Sequence, residues 1–411
     1  MSNLEVNQER FLASIEELSR IGSTSAQGVT RFALTEGDRQ AREWLQARAR
    51  AHNLASHFDA AGNLFIYAAG SSQEPPLIVG SHVDTVPNGG RYDGALGVLA
   101  GLESLIRLQE TKTLLTRPVW LAVWTEEEGS RFRSGLIGSR ASIGEVTAAE
   151  LNDPDAAGIT PADALRSWGL NPDDIQSVAR RPGQVHAYVE LHIEQGAKLD
   201  VADLQIGVVT GIVGIRRYDV SVKGQANHAG TTPMHLRHDA LVAAALMVQT
   251  VEQAVITSGH SDAVGTVGKL QVFPGGVNVV PGQVDFSLEI RDIETAVMDE
   301  LVAMLQTKLQ QIAAQRGVEL SWELAADVKP APLAETVQQT IAAAASDLGY
   351  SWQRMPSGAG HDAQHLARIC PTGMIFVPSK GGISHSPAEF TADADCVRGA
   401  NVLLNTIVKL L

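Results

Sequence analysis

Short apolar runs alternate with segments of helical period over the first two hundred residues. PPLIVGSHVD (75–84) reads as a buried strand running into a turn. GVLAGLESLIRLQ (97–109) reads as a helix with Val98, Leu99, Leu102, Leu105 and Ile106 on one side, and RPVWLAVWTEEE (117–128) as a second buried strand. Strand, helix, strand predicts a mostly parallel sheet with helices on its faces. On such sheets ligands gather beyond the carboxyl ends of the strands, where SHVD and TEEE both fall.

The rhythm changes near Gly211. RRYDVSVKG alternates with Tyr218, Val220 and Val222 on one face, and QVDFSLEIRD with Val284, Phe286, Leu288 and Ile290 inward. With the helices 239–255 and 295–315 and the strands 264–273 and 318–324, the order is β-α-β-β-α-β, a ferredoxin-like set. Helix 239–255 is nearly all Ala, Val and Leu, more apolar surface than one small sheet buries, which predicts a subunit interface and a homodimer. After KPAPL (329–333) the first rhythm resumes, with a helix in TVQQTIAAAASDLG and a strand in GMIFVPS. The expected domains are a catalytic α/β domain in two parts, 1–211 and 329–411, interrupted by an inserted lid and dimerisation domain, 212–328.

Composition narrows the partners. A chain of 411 residues exceeds one ordinary core. Its net charge of −14 disfavours nucleic acid and anionic membranes as partners. The N-terminal stretch has helical spacing at Phe11, Ile15, Leu18 and Ile21 rather than the layout of a signal peptide, and no run of 18 apolar residues predicts a membrane span. Only Cys370 and Cys396 are present, so a metal here must be held by His, Asp and Glu, and a reducing, cytoplasmic setting is expected.

Candidate ligands cluster in polar, glycine-flanked segments at predicted strand ends. GSHVDTVPNGGRYDGALG carries His82, Asp84 and Asp93; WTEEEGSRF carries Glu127 and Glu128; VELHIEQG carries His192 and Glu194; GGISHSPAE carries His385; and NHAGTTP carries His228. A lone histidine beside a strand is more often structural. In His82-x-Asp84, however, a carboxylate two residues on can accept the other imidazole N–H. Two ions about 3.5–4 Å apart need a bridging carboxylate, imidazoles and a further carboxylate. His82, Asp93, Glu128, His192 and His385 make a set of that size. Such a site also needs a base that is not a ligand, and a glutamate next to a ligand glutamate would serve. A regular strand would send Glu127 and Glu128 to opposite faces, so the strand must have ended by Glu127.

GSHVDTVPNGGRYDG, TEEEGSRF, ELHIEQG, NHAGTTPM, GGVNVVP, SGAGHDAQ and GISHSPAE closely resemble the hydantoinase/carbamoylase family of metal-dependent amidohydrolases, relatives of the dinuclear zinc exopeptidases. The resemblance implies two divalent ions, zinc foremost and manganese, cobalt or nickel also suited. Asp93 would bridge them, His82 and His192 would bind one ion or its neighbour, and Glu128 and His385 would complete the second. It implies Glu127 as general base, Asp84 orienting His82, and His228 stabilising an oxyanion in the partner subunit's site. Gln195, Asn278, Arg291 and Gly360 match substrate-contacting positions, with Arg291 as carboxylate clamp. Residue by residue, Arg291 could instead pair with Asp292 or a neighbouring helix end, Asn278 could cap a turn, and Gly360 could answer only a backbone need for positive φ. His361 and Asp362 are expected behind the site. Glu126, Glu194, His186, His235, His238 and His365 are expected to be structural or solvated.

The implied reaction is hydrolysis of the ureido C–N bond of N-carbamoyl-L-amino acids. VTGIVGIRRY and RSGLIGSRAS look closest to carbamoylases, whereas SGAGHDAQ is similar to the allantoate amidohydrolase branch. After allantoate, β-ureidopropionase and dipeptidase or aminoacylase activities are the remaining alternatives.

Overall fold

The computed structural model describes residues 3–411. The chain packs as two units, one made of the chain up to Thr210 with Pro332–Leu411, the other of Gly211–Ala331.

The larger unit is built on a sheet whose central strands run Val119–Trp124, Leu77–His82, Ala187–Ile193, Thr372–Val377, all parallel. On one side Leu64–Ala68 and Ala55–Phe58 add antiparallel, and on the other Ile206–Ile212 does so. The sheet is therefore mixed, with a parallel centre and antiparallel flanks. Every residue of Leu77–His82, Ala187–Ile193 and Thr372–Val377 is buried, as strands covered on both faces must be.

Helix Ala95–Glu110 departs from the one-sided pattern expected of it. It is buried almost all round, because the three neighbouring parallel strands lie on one side while helices Gln8–Ser19 and Asp393–Leu410 cover the rest. Its buried Glu103 is answered by Arg10, whose Nε and Nη2 each donate at 2.7 Å, and by the N–H of Asn7 at 2.9 Å.

In the smaller unit the strand order is Leu270–Phe273, Gln283–Asp292, Gly214–Lys223, Glu319–Val328, antiparallel throughout and ferredoxin-like in connectivity. Val284, Phe286, Leu288 and Ile290 point inward, under helices Ala240–Thr257 and Thr295–Arg316. The stretch expected as one strand over 264–273 is two, Val264–Thr266 and Leu270–Phe273. Both pair with Gln283–Asp292, and the break is a one-residue bulge, since Thr266 faces Glu289 and Leu270 faces Phe286. Helix Ala240–Thr257 is long and apolar enough by composition to cross a membrane. Within its unit Ala243, Ala244, Met247, Val251 and Ala254 are packed away, and Leu241, Val242 and Ile256 are exposed.

Candidate metal centre

Four consecutive strands of the parallel centre deliver their carboxyl ends to one edge. His82 is the last residue of its strand and pairs in register with Trp124, the last residue of the next. His192 lies one residue from the end of Ala187–Ile193, opposite Phe376. His385 follows in the loop after Thr372–Val377, and Asp93 sits just before helix Ala95–Glu110. Sequence positions three hundred residues apart thus converge.

Asp93 is the centre of the cluster. Its Oδ1 is 3.2 Å from Nε2 of His192 and 3.5 Å from Nε2 of His82, and its Oδ2 is 3.4 Å from Nε2 of His385. On the other side of His385, Glu128 Oε2 lies at 3.5 Å. Two triads result, His82–Asp93–His192 and Asp93–Glu128–His385, each with one donor atom per residue within 4.8 Å of the others. Glu127 Oε2 is 3.6 Å from His82 Nε2, outside both triads but against the first.

The three adjacent glutamates are sorted by the backbone. The strand stops at Trp124 because the fully buried Arg42 takes its terminal carbonyls: Nη1 donates to Val123 O and Nη2 to Trp124 O, each at 2.9 Å, while Nε donates to Asp38. Glu126 then adopts φ 54°, a left-handed turn. Its carboxyl swings back to accept the N–H groups of Arg131 and Phe132 at 2.9 and 2.8 Å, away from the triads. Glu127 and Glu128 are freed from strand alternation, and Asp84 holds both, accepting their N–H groups at 3.3 and 3.1 Å.

Asp84 meets His82 through its backbone rather than its carboxylate. Nδ1 of His82 meets the Asp84 backbone carbonyl at 3.0 Å, whereas the carboxylate lies 3.8 Å away because it is already engaged with the glutamate turn. The carbonyl still orients the ring so that Nε2 faces Asp93.

Charge in the cluster is far from balance. Burial, then Glu128, Asp362 and Asp84, hold Glu127 well above the usual carboxylate range despite the opposing pull of His82. Burial and Asp93 push Glu128 up to about 7, and burial with Asp84 pushes Glu126 up to about 8. His82 rises well above its ordinary value even though burial opposes it, through Glu127, Asp93 and Asp84. The contact with Asp93 lifts His385 to about 9. Asp93 itself is held well below the carboxylate range, against burial, by His192, His385 and His82. Buried acids that repel one another beside neutral-capable imidazoles are the donor set of divalent cations. Glu128 Oε1 is buried without a hydrogen-bond partner among the described residues. Gly94, at φ 63°, leaves the space before His82 open, where a Cβ would fall 2.4 Å from Nε2. The residues fit metal ions.

The sequence model of peptidase family M20/M25/M40 matches residues 78–409. The chain belongs to this family. An N-carbamoyl-L-amino acid amidohydrolase from Geobacillus stearothermophilus is 42% identical over 98% of this chain and 99% of its own length. An allantoate amidohydrolase from Bacillus subtilis is 35% identical over 96% of each. The crystal structure of a hydantoinase/carbamoylase family amidase from Burkholderia multivorans matches with a TM-score of 0.93 and 36% identity, over 99% of this chain and 98% of that one. Within the M20/M25/M40 family the chain therefore stands with the hydantoinase/carbamoylase amidases.

Other expected site residues fall in three groups. Gln195, at φ 58°, is at the cluster, with Nε2 donating to Asp93 Oδ2 at 2.8 Å. Gly360 has no left-handed φ, and a Cβ there would meet only Gln364 Oε1 at 3.4 Å, so its backbone does not demand glycine. His228, Asn278 and Arg291 belong to the smaller unit. His228 and Asn278 are neighbours on a short ribbon pairing Asn227–His228 with Val279–Val280. Nδ1 of His228 accepts from the N–H of Gly230 at 3.0 Å, so the neutral ring carries its proton on the exposed Nε2. Nε of Arg291 donates to Glu289 Oε1 at 2.8 Å.

Sequence reasoning missed Glu389. Its Oε1 accepts the N–H groups of Tyr92 and Asp93 at 3.0 and 3.1 Å, and its Oε2 accepts Ser384 Oγ at 2.9 Å. The loop bearing His385 is thereby tied to the loop bearing Asp93. The available signal was a glutamate closing the same motif as His385. Also unforeseen was a buried chain behind the triads, Trp124 Nε1 to Tyr188 Oη to Glu190 Oε2, with Ser81 donating to Glu190 Oε1. His361, expected behind the site, stacks edge-on to His192 with ring centroids 4.6 Å apart.

Proposed function

We propose that the protein hydrolyses the ureido C–N bond of N-carbamoyl-L-amino acids, yielding the free amino acid, ammonia and carbon dioxide. The observation that carries this reading is a single carboxylate, Asp93, shared by two triads, with Glu127, which is in neither, alongside. The substrate class follows the relative named for that reaction, which matches over nearly all of both chains. The allantoate reading comes second, supported by SGAGHDAQ and by the more distant amidohydrolase.

In this reading His82, His192 and Asp93 hold one ion, and Asp93, Glu128 and His385 the other, zinc foremost, with manganese, cobalt and nickel suited to the same donors. Ions held there would supply Lewis-acid polarisation of the ureido carbonyl and a lowered pKa for the attacking water. Glu127, beside His82 and outside the two triads, takes the proton of that water and delivers it to the departing nitrogen. The carbamate released with the first amine then falls apart to ammonia and carbon dioxide. Gln195 and Gly360 contact the substrate near the ions. His228 donates Nε2–H to the developing oxyanion of the partner subunit's site, Asn278 assists, and Arg291 grips the substrate carboxylate with its planar fork. The Gly211–Ala331 unit acts as lid and dimerisation surface, for which the exposed Leu241, Val242 and Ile256 on an otherwise apolar helix speak. A cytoplasmic location agrees with two buried, unpaired cysteines.

An ammonia-release screen of metal-loaded protein tests the reading. N-carbamoyl-L-amino acids should give the highest kcat/KM, ahead of allantoate, N-carbamoyl-β-alanine and dipeptides. A higher value on allantoate would replace the first reading with the second.

A further inference from the structure

The larger unit has a second cleft, of about 740 Å3, away from the metal centre. Pro76 and Pro118, which line it, immediately precede the strands Leu77–His82 and Val119–Trp124. The cleft therefore opens at the amino ends of the parallel strands, and the triads lie beyond their carboxyl ends.

Arg180 is its unusual residue. The guanidinium carbon lies 5.0 Å from the ring centre of Trp120 and 5.3 Å from that of Phe65, an edge-to-face aromatic pair. Nε is buried with no hydrogen-bond partner, and among the described residues the side chain forms no ion pair. Asp59 lines the same cleft, but its carboxylate is committed to its own turn, accepting the N–H groups of Ala61 and Asn63 and the Asn63 amide, each at 2.9 Å. An arginine stays charged, and Asp59 acts on it only through space, without an ion pair, so the hydrogen-bonding edge of this part-buried guanidinium is left without a carboxylate partner. A planar carboxylate answers it with two parallel hydrogen bonds. Trp120, Val178 and the prolines offer apolar walls to the rest of an organic molecule, and the exposed Glu74 at the rim disfavours multiply charged anions such as phosphate.

We propose that this cleft binds small organic monocarboxylates, with Arg180 as the clamp. The inference rests on the cleft alone and is independent of the reaction assigned to the triads.

The test is calorimetric titration of acetate, N-acetylglycine and glycine into the metal-stripped full chain carrying Arg291→Gln, which silences the other proposed carboxylate clamp. Comparing the three separates a plain carboxylate from an acylated or a free amino acid, and sulfate controls for general anion binding. Binding by at least one carboxylate is expected, weakened about tenfold or more by Arg180→Gln and less by Arg180→Lys, which keeps the charge but loses the fork. Equal affinity with and without Arg180, or sulfate binding as tightly as the carboxylates, would overturn the proposal. Because Arg180→Gln could fail to fold, crystals of the unmutated protein soaked in 4-bromobenzoate provide a second measurement. A bromine anomalous peak beside Trp120 and Arg180 is expected, and its absence from a cleft open to solvent would equally overturn the idea.

Discussion

A Cβ placed on Gly94 would stand 2.4 Å from Nε2 of His82, against the edge of the ring that faces Asp93 Oδ1 at 3.5 Å. The glycine is required twice, once for its φ of 63° and once for that close approach. Gly94→Ala should therefore lower metal content measured by elemental analysis, and lower activity with it, while the far-ultraviolet circular dichroism stays unchanged. Full metal occupancy in this variant would show that His82 is not a ligand.

Glu127 faces His82 without belonging to the Asp93 triads. Replacing it by Gln keeps the shape and removes the proton acceptor. We expect metal content to be retained and kcat to fall by roughly 10²–10⁴, the usual contribution of a general base. Wild-type turnover in Glu127→Gln would end its candidacy as the base.

Asp84 acts through the glutamate turn rather than on substrate, holding the N–H groups of Glu127 and Glu128. Asp84→Asn retains one acceptor oxygen and should weaken metal affinity about 10–100-fold, as loss of partners behind metal ligands does. A competition titration with a chelating dye reads this directly. An unchanged affinity would mean that the turn is fixed by other contacts.

Metal-free protein should become less stable as pH rises. Glu128, shifted from 4.5 to about 7, contributes stability that is whole below pH 4.5 and lost as pH climbs through 7. His385, shifted from 6.5 to about 9, does the same between pH 6.5 and 9. Asp93 acts oppositely, but its depressed pKa confines its effect to acid below the ordinary carboxylate value. Histidines held below their ordinary value by burial, His361 and His365, act the other way only below pH 6.5, so thermal midpoints of chelator-treated protein should fall from pH 6.5 to 9. Metal-loaded protein should show a shallower slope, since ions compete with protons for the same atoms. Identical slopes would argue that the ions bind elsewhere.

Much of this was legible in the sequence wherever one residue's environment leaves a local trace. Strand Gln283–Asp292 and its four inward side chains follow from alternation, and the parallel centre from strand–helix–strand rhythm. The five triad residues stood out in combination, as His, Asp and Glu gathered at several strand ends of a chain with no thiolate cluster to offer instead. Relations between distant segments were not legible. Nothing near Ala95–Glu110 reveals that a helix some three hundred residues later will cover its outer face. Similarly, Glu389 is one polar residue among several until the fold brings it under the N–H groups of Tyr92 and Asp93. The split of the three glutamates was half visible: strand geometry required a break before Glu127, but the left-handed turn at Glu126 and the capping by Arg42 depend on a helix eighty residues earlier.

That capping guanidinium has a consequence for how the two glutamates are held. Arg42, not a metal, terminates the strand that carries the glutamate turn, and Asp38, bonded to it with neither side chain exposed, fixes its direction. The turn is held from both sides by the protein's own groups, Arg42 on the carbonyls before it and Asp84 on the N–H groups within it. A change at either anchor therefore shifts Glu127 and Glu128 as a pair rather than one at a time.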